Sequence, residues 1–209
     1  MSVGRVEPFR RALTELRERL RAGVLSPGAR VTAKEVAEEL HLSATPVREA
    51  LSRLAGEGLL EERRGDGFFV RRLTALDIAD LYRLHLASLS IAQDQNRRGR
   101  PDLAQAVAAQ AATDPVRAVE RLFSAWVAEG GSRVLISTHR LLTFQIGAVR
   151  RVEHRVLDDM SAEAVALASL ADASGWRDRQ QGLLAFHERR VALADQLADF
   201  FEPDRAFEV

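Results

Sequence analysis

The sequence predicts a mostly α-helical protein in two parts, an N-terminal winged helix-turn-helix followed by an all-α helical bundle. Three observations carry that expectation. Apolar residues recur at helical spacing through most of the 209 residues. Two short extended runs near residues 59–71 flank the loop Arg63-Arg64-Gly65-Asp66-Gly67, whose glycines permit the positive φ of a tight hairpin. Beyond Thr74 no strand pattern appears, and cap and breaker residues divide the chain into helical segments.

Phe9, Leu13, Leu16 and Leu20 fall on one face of a helix expected from about Glu7 to Ala22, stopped by Gly23. Ser26-Pro27-Gly28 is turn chemistry. Thr32 with Glu35 makes a capping box for a second helix through Leu40, which turns Val36 and Leu40 inward. Ser43 is placed to cap a third helix, Ala44 to about Glu57, with Val47, Leu51 and Leu54 as its buried stripe. Leu59–Glu62 and Phe68–Arg71 then pair as the wing. This order assigns 1–73 to a DNA-binding domain and 74–209 to an all-α helical domain. Six helices are expected in the latter. Thr74 with Asp77 opens one that runs to about Arg97, Pro101 a second, and Asp114-Pro115 a third that Gly130-Gly131 ends. Ser132 caps a fourth through the Asp158 region, Ser161 a fifth, and 175–201 forms the sixth.

Composition narrows the function. With no cysteine there is no disulfide framework, thiolate metal site or cysteine catalysis. The N-terminus has no signal-peptide pattern and no run nears the ~20 apolar residues of a membrane span, so the expected location is cytoplasmic, without a membrane partner. Thirty basic and thirty acidic residues cancel, so any grip on nucleic acid must be local. Up to Thr74 there are 14 basic and 11 acidic residues, a surplus of 3. A Gly-rich phosphate loop, a His-Glu-x-x-His pair and a nucleophile elbow are all missing, which argues against an enzyme.

A helix in the major groove reads bases from its N-terminal end, which selects Ser43, Ala44, Thr45, Val47 and Arg48. The Arg48 fork can take O6 and N7 of a guanine, and Ser43 and Thr45 can donate to phosphates. The bland reading makes Arg48 a solvated arginine paired with Glu49. Arg63 and Arg64 give the wing tip its charge.

The stretch from Leu20-Arg21-Ala22-Gly23-Val24-Leu25-Ser26-Pro27-Gly28 through Ser43-Ala44-Thr45-Pro46-Val47-Arg48-Glu49-Ala50-Leu51 to Gly67-Phe68-Phe69-Val70 resembles the DNA-binding domain of the GntR family of bacterial transcriptional regulators. The resemblance implies DNA contacts at Lys34, Ser43, Thr45, Arg48 and the wing glycine Gly65. Ala44 stands where the family usually has an arginine, which implies weaker base reading in each half-site. The helical remainder resembles the FadR-type ligand-binding domain in its six-helix form, with Leu81-Tyr82 and Phe123-Ser124 among the matching residues. Many such domains hold a metal. The matching positions here are Glu120, Ser124, Val165 and His187, of which two ligate poorly, so no metal or other cofactor is expected. His85 occupies the place of the usual ligand-binding arginine.

Periodicity puts His85 on a stripe with Leu81 and Leu89, His139 with Leu135, Leu142 and Ile146, His187 with Leu183 and Val191, and Glu120 with Val116 and Phe123. Inward polar groups need partners. His85, Glu120, Ser124, His139 and His187 are therefore candidates for a shared cavity in which histidines donate to a carboxylate. Alternatively each is a core residue bonded to backbone or water. The expected function is a homodimeric regulator, a repressor, that binds double-stranded DNA at a palindromic operator and is released by a small organic acid. The alternatives are a dimeric DNA-binding regulator that responds to no ligand and, third, a helical-bundle enzyme using Glu/His acid-base chemistry.

Overall fold

The computed structural model describes residues 3–95, 101–130, 132–172 and 175–202. Its contacts gather into two compact units, one holding the chain up to Leu73 and one of Thr74–Phe200.

In the first unit, α1 (Val3–Arg21) begins four residues before the expected start. Its Ala12 and Leu16 are fully buried against Val47, Leu51 and Leu54 of α3 (Ala44–Gly56) and Val36 of α2 (Ala33–Leu40). Each such side chain contributes roughly 1.5–3 kcal/mol by leaving water. The turn after α1 joins the helices to the sheet. Pro27 and Gly28, at φ 77°, sit in a tight turn closed by Ala29 N–H donating to Ser26 O at 3.0 Å. Gly28 N–H then donates to Val70 O (2.8 Å), and Val70 N–H to Ala29 O (2.9 Å).

The sheet has three antiparallel strands in the order β1 (Arg30–Val31), β3 (Gly67–Val70), β2 (Leu60–Arg63). Leu60 pairs with Val70 and Arg63 with Gly67, so each wing strand lies one residue from its expected bounds. β1 was not expected from the sequence. Two residues are too few to show an alternation, and pairing with Phe68 and Phe69 alone defines them as a strand.

The cap of α2 forms as expected, with Thr32 Oγ1 accepting from Glu35 N–H at 3.3 Å. His41, at φ 53°, ends the helix in the left-handed region, which turns the chain into α3. Ser43 corrects an expectation. Its backbone is extended as an N-cap should be, but its hydroxyl makes no capping bond.

The second unit contains α4 (Ala75–Gln95), α5 (Pro101–Ala111), α6 (Pro115–Glu129), α7 (Arg133–Val152), α8 (Met160–Asp172), α9 (Trp176–Ala192) and α10 (Ala194–Ala198). Three starts are set by side chains. At α4, Asp77 N–H donates to Thr74 Oγ1 (3.2 Å) and Thr74 N–H to Asp77 Oδ2 (3.0 Å), a full capping box. Asp114 accepts from Arg117 N–H at 3.0 Å, and Ser132 from Leu135 N–H at 3.2 Å. Ser161 is not a cap. α8 starts one residue before it, and its hydroxyl donates to Ala111 O (2.9 Å), tying α8 to α5. The expected sixth helix is two, broken where Leu193 leaves helical geometry. The expected end of α4 near Arg97 and the helix breaker Gly131 lie outside the described residues. Leu89, Leu122, Phe123, Trp126 and Leu183 lie at the core of this unit.

Candidate functional site

The first unit presents the residues singled out for nucleic acid. Pro46 and Val47 anchor the start of α3 in the core, which leaves Ser43, Ala44, Thr45 and Arg48 exposed around its first turn. The unpaired N–H groups of that turn and the positive end of the helix favour an anion there. Lys34 is exposed at the start of α2, its Nζ 4.0 Å from Glu38 Oε1. Arg63 is held within the wing, since it donates to Glu61 Oε2 at 3.2 Å and lies 4.2 Å over the Phe69 ring. Arg64 is exposed, and Gly65 at φ 84° allows the tip to turn. Neither Arg48 nor Arg64 forms an ion pair among the described residues.

In the second unit His85, His139 and His187 come together. All three are buried, with ring centroids 4.7 Å apart for His85 and His139 and 5.2 Å for His85 and His187. Their partners determine their tautomers. Leu183 O can only accept, so the 2.6 Å contact makes His187 Nδ1 a donor and leaves Nε2 a bare acceptor. His85 Nδ1, 2.8 Å away, must then donate to it. Ser88 spends its hydroxyl proton on His85 O (2.7 Å), so His139 Nδ1 donates to Ser88 Oγ across 3.3 Å. Burial keeps each imidazole neutral, with one N–H per ring. Burial pushes the pKa of His187 down to about 3 and that of His139 to about 4, with the Arg150 charge acting in the same direction, and it holds His85 well below the usual histidine value.

This geometry corrects the expected pocket. The imidazole N–H groups are spent on one another, on Ser88 and on backbone, so none is left to donate to a carboxylate. What remains free is an acceptor, His85 Nε2, which has no partner. Glu120 faces Arg150 at 3.7 Å, and Ser124 is exposed and outside the layer. The family's metal positions do not fit a metal, because Val165 is apolar and 44% exposed and Ser124 is also on the surface. Among the described residues no group of three or more His, Asp or Glu side chains is arranged to hold a metal ion.

Sequence reasoning passed over the buried charges beside this layer. Arg190 donates to both oxygens of Glu153 and both of Glu163, and Glu153 also accepts from the Tyr82 hydroxyl. Arg150 is 2% exposed. A signal for it was present, since it continues the stripe of Leu142 and Ile146 at four-residue spacing.

Residues 9–70 match the sequence model described as "Bacterial regulatory proteins, gntR family". The chain is 48% identical over 58 residues to the "Nta operon transcriptional regulator" of Aminobacter aminovorans, 28% of each chain. It is 32% identical over 157 residues to the "Probable D-xylose utilization operon transcriptional repressor" of Paenarthrobacter nicotinovorans, 72% of this chain and 64% of that one. These matches thus span less than two thirds of either curated relative. In fold it is similar to a GntR transcriptional regulator structure from Rhodococcus sp. RHA1, with TM-score 0.77 and 21% identity, covering 89% of this chain and 96% of the other. Among the described residues no helix is long and apolar enough to cross a membrane. Over residues 9–70 the chain is thus similar to the GntR family of bacterial regulatory proteins.

Proposed function

We propose that the chain is a DNA-binding transcriptional regulator that acts as a homodimer on a palindromic operator, as a repressor released when a small organic acid enters the helical unit. One observation carries the reading. Ser43, Thr45 and Arg48 stand exposed around the first turn of a helix whose opposite face, Val47, Leu51 and Leu54, is fully buried, as a rigid major-groove reader requires. Lys34 and Arg64 flank it with phosphate-seeking charge, and Arg63 braces the wing against Phe69. The names of the relatives, regulators of operons and in one case a repressor, support the same direction. No metal is part of this reading.

The test is to select bound fragments from random DNA with the purified protein. An inverted repeat is the expected outcome, because two-fold protein symmetry is mirrored in its site. Recovery of unrelated sequences would overturn the reading. Ligand-independent regulation is the second reading, favoured by histidines that spend their donors inside the fold, on His187, Ser88 and the Leu183 carbonyl. Operator affinity unchanged across a panel of organic acids would select it.

A further inference from the structure

Arg30 opens β1, the strand that only its pairing defines. Its backbone is fixed on both sides, since Gly28 N–H donates to Val70 O, Val70 N–H donates to Ala29 O, and Arg30 itself stands opposite Phe69 of β3. Directly opposed residues of antiparallel strands share a face of the sheet, as do residues two apart along one strand. Arg30, Glu61, Arg63, Gly67 and Phe69 therefore lie on one face. The other face carries Val31, Leu60, Phe68 and Val70, all buried in the core. Two guanidinium groups thus stand over successive same-face positions of β3. Arg63 covers the Phe69 ring, and the Arg30 head lies beside Gly67, with Nε 3.8 Å and Nη2 3.9 Å from the place that a Cβ would take. Their circumstances differ. Arg63 has an aromatic ring beneath it and a counter-charge in Glu61 at 3.2 Å, whereas Arg30 is exposed and forms no ion pair among the described residues. Two arginines against one glutamate leave the face positive.

We infer that Arg30 is a DNA-binding residue, which takes a backbone phosphate of duplex DNA on this outer face while Arg63 stays on Phe69 as a brace. The inference rests on the DNA-binding reading above and adds a contact from a strand outside both the helix-turn-helix and the wing tip. A planar fork with unspent donors on an exposed, fully charged head is what a phosphate oxygen pair accepts from. Gly67 assists, because it has no side chain to cover the Arg30 head. The tight turn at Gly28 and the pairing with Phe69 hold the strand in place before DNA arrives, so little backbone order is lost on binding. Phosphate contacts position a protein on the duplex and carry no base information. Arg30 therefore supplies affinity and salt dependence, and Arg48 supplies the sequence preference.

The test uses the full chain with two duplexes, one recovered by selection and one of unrelated sequence, and follows binding by fluorescence anisotropy between about 50 and 200 mM potassium chloride. Each neutralised phosphate contributes about −0.9 to the slope of log affinity against log salt, so Arg30→Gln should flatten that slope by about 0.9. Affinity should fall by the same factor for both duplexes, as expected of a contact that reads no base. Arg30→Lys should keep the slope, because counterion release follows charge. Arg140→Gln, which removes an exposed arginine from α7, should leave it unchanged. A wild-type slope in Arg30→Gln would make the side chain only a charged guard of the open β1 edge and overturn the assignment. An equal loss in Arg140→Gln would overturn it too, since the effect would then report net charge and not place. So would a loss confined to the selected duplex. An unchanged slope in Arg30→Gln with intact wild-type binding retires this contact and leaves the DNA-binding reading standing, whereas a wild-type protein that binds neither duplex retires both.

Discussion

At the scale of single residues, two side chains separate function from support. Arg48 is exposed on the first turn of α3 and makes no ion pair among the described residues, so nothing in the fold depends on it. Arg48→Ala should leave the melting temperature unchanged, cost about 1–3 kcal/mol of operator affinity and relax preference at one position per half-site, as measured by binding to single-base operator variants. His187 is the opposite case. Leucine keeps its bulk but strips the acceptor from His85 Nδ1–H, so His187→Leu should lower stability by about 1–3 kcal/mol in urea denaturation. Unchanged stability would mean that the contact between the two rings contributes nothing. The sequence placed both residues on the correct faces, since helical period alone decides that. It could not place the protons, because a histidine's tautomer depends on partners up to 102 positions away.

At the scale of elements, the strongest local signals are the caps and the turns. Thr32, Thr74, Asp114 and Ser132 all accept the expected backbone N–H, because a cap is satisfied within three residues and needs no tertiary partner. Ser43 and Ser161 also read as caps and are not, the Ser43 hydroxyl making no capping bond and the Ser161 hydroxyl donating to a carbonyl of α5. The turn at Gly28 carries more than its own geometry. Its φ is 77°, and an added Cβ would lie 2.3 Å from the Arg72 Nε. Gly28→Ala should therefore destabilise the N-terminal unit by about 1–3 kcal/mol, through backbone strain and loosening of the contact with β3. Chemical denaturation followed by circular dichroism checks this. A loss below half a kcal/mol would show that the turn yields easily.

At the scale of the whole molecule, the buried histidines couple stability to pH. Folded His139 and His187 bind a proton only near pH 4 and pH 3, whereas unfolded histidines titrate near 6.5. Their pKa values are lowered by folding, so their contribution is complete above about 6.5 and is lost as the pH falls toward the folded values. In that window the unfolded chain binds protons that the fold refuses, and stability should drop by up to about 1.4 kcal/mol per pH unit for each histidine. Urea denaturation at pH 7 and pH 5 measures it, and the slope should shrink in His187→Leu. Equal stability at the two values would contradict neutral burial.

The sequence by itself determined the two-part organisation, the helix-turn-helix with its wing, and the faces on which Arg48 and the three buried histidines stand. Those follow from period, caps and glycines, which act over a few residues and leave their pattern in the chain. Only the tertiary structure decided that β1 exists, because a two-residue strand is defined by its partner. Only it decided that His85 commits its proton to His187, and His139 and His187 theirs to Ser88 and backbone, while Arg150 commits none among the described residues. Hydrogen-bond satisfaction is settled between helices, where residues far apart in the chain become neighbours, and no local pattern records which polar group will be left without a partner.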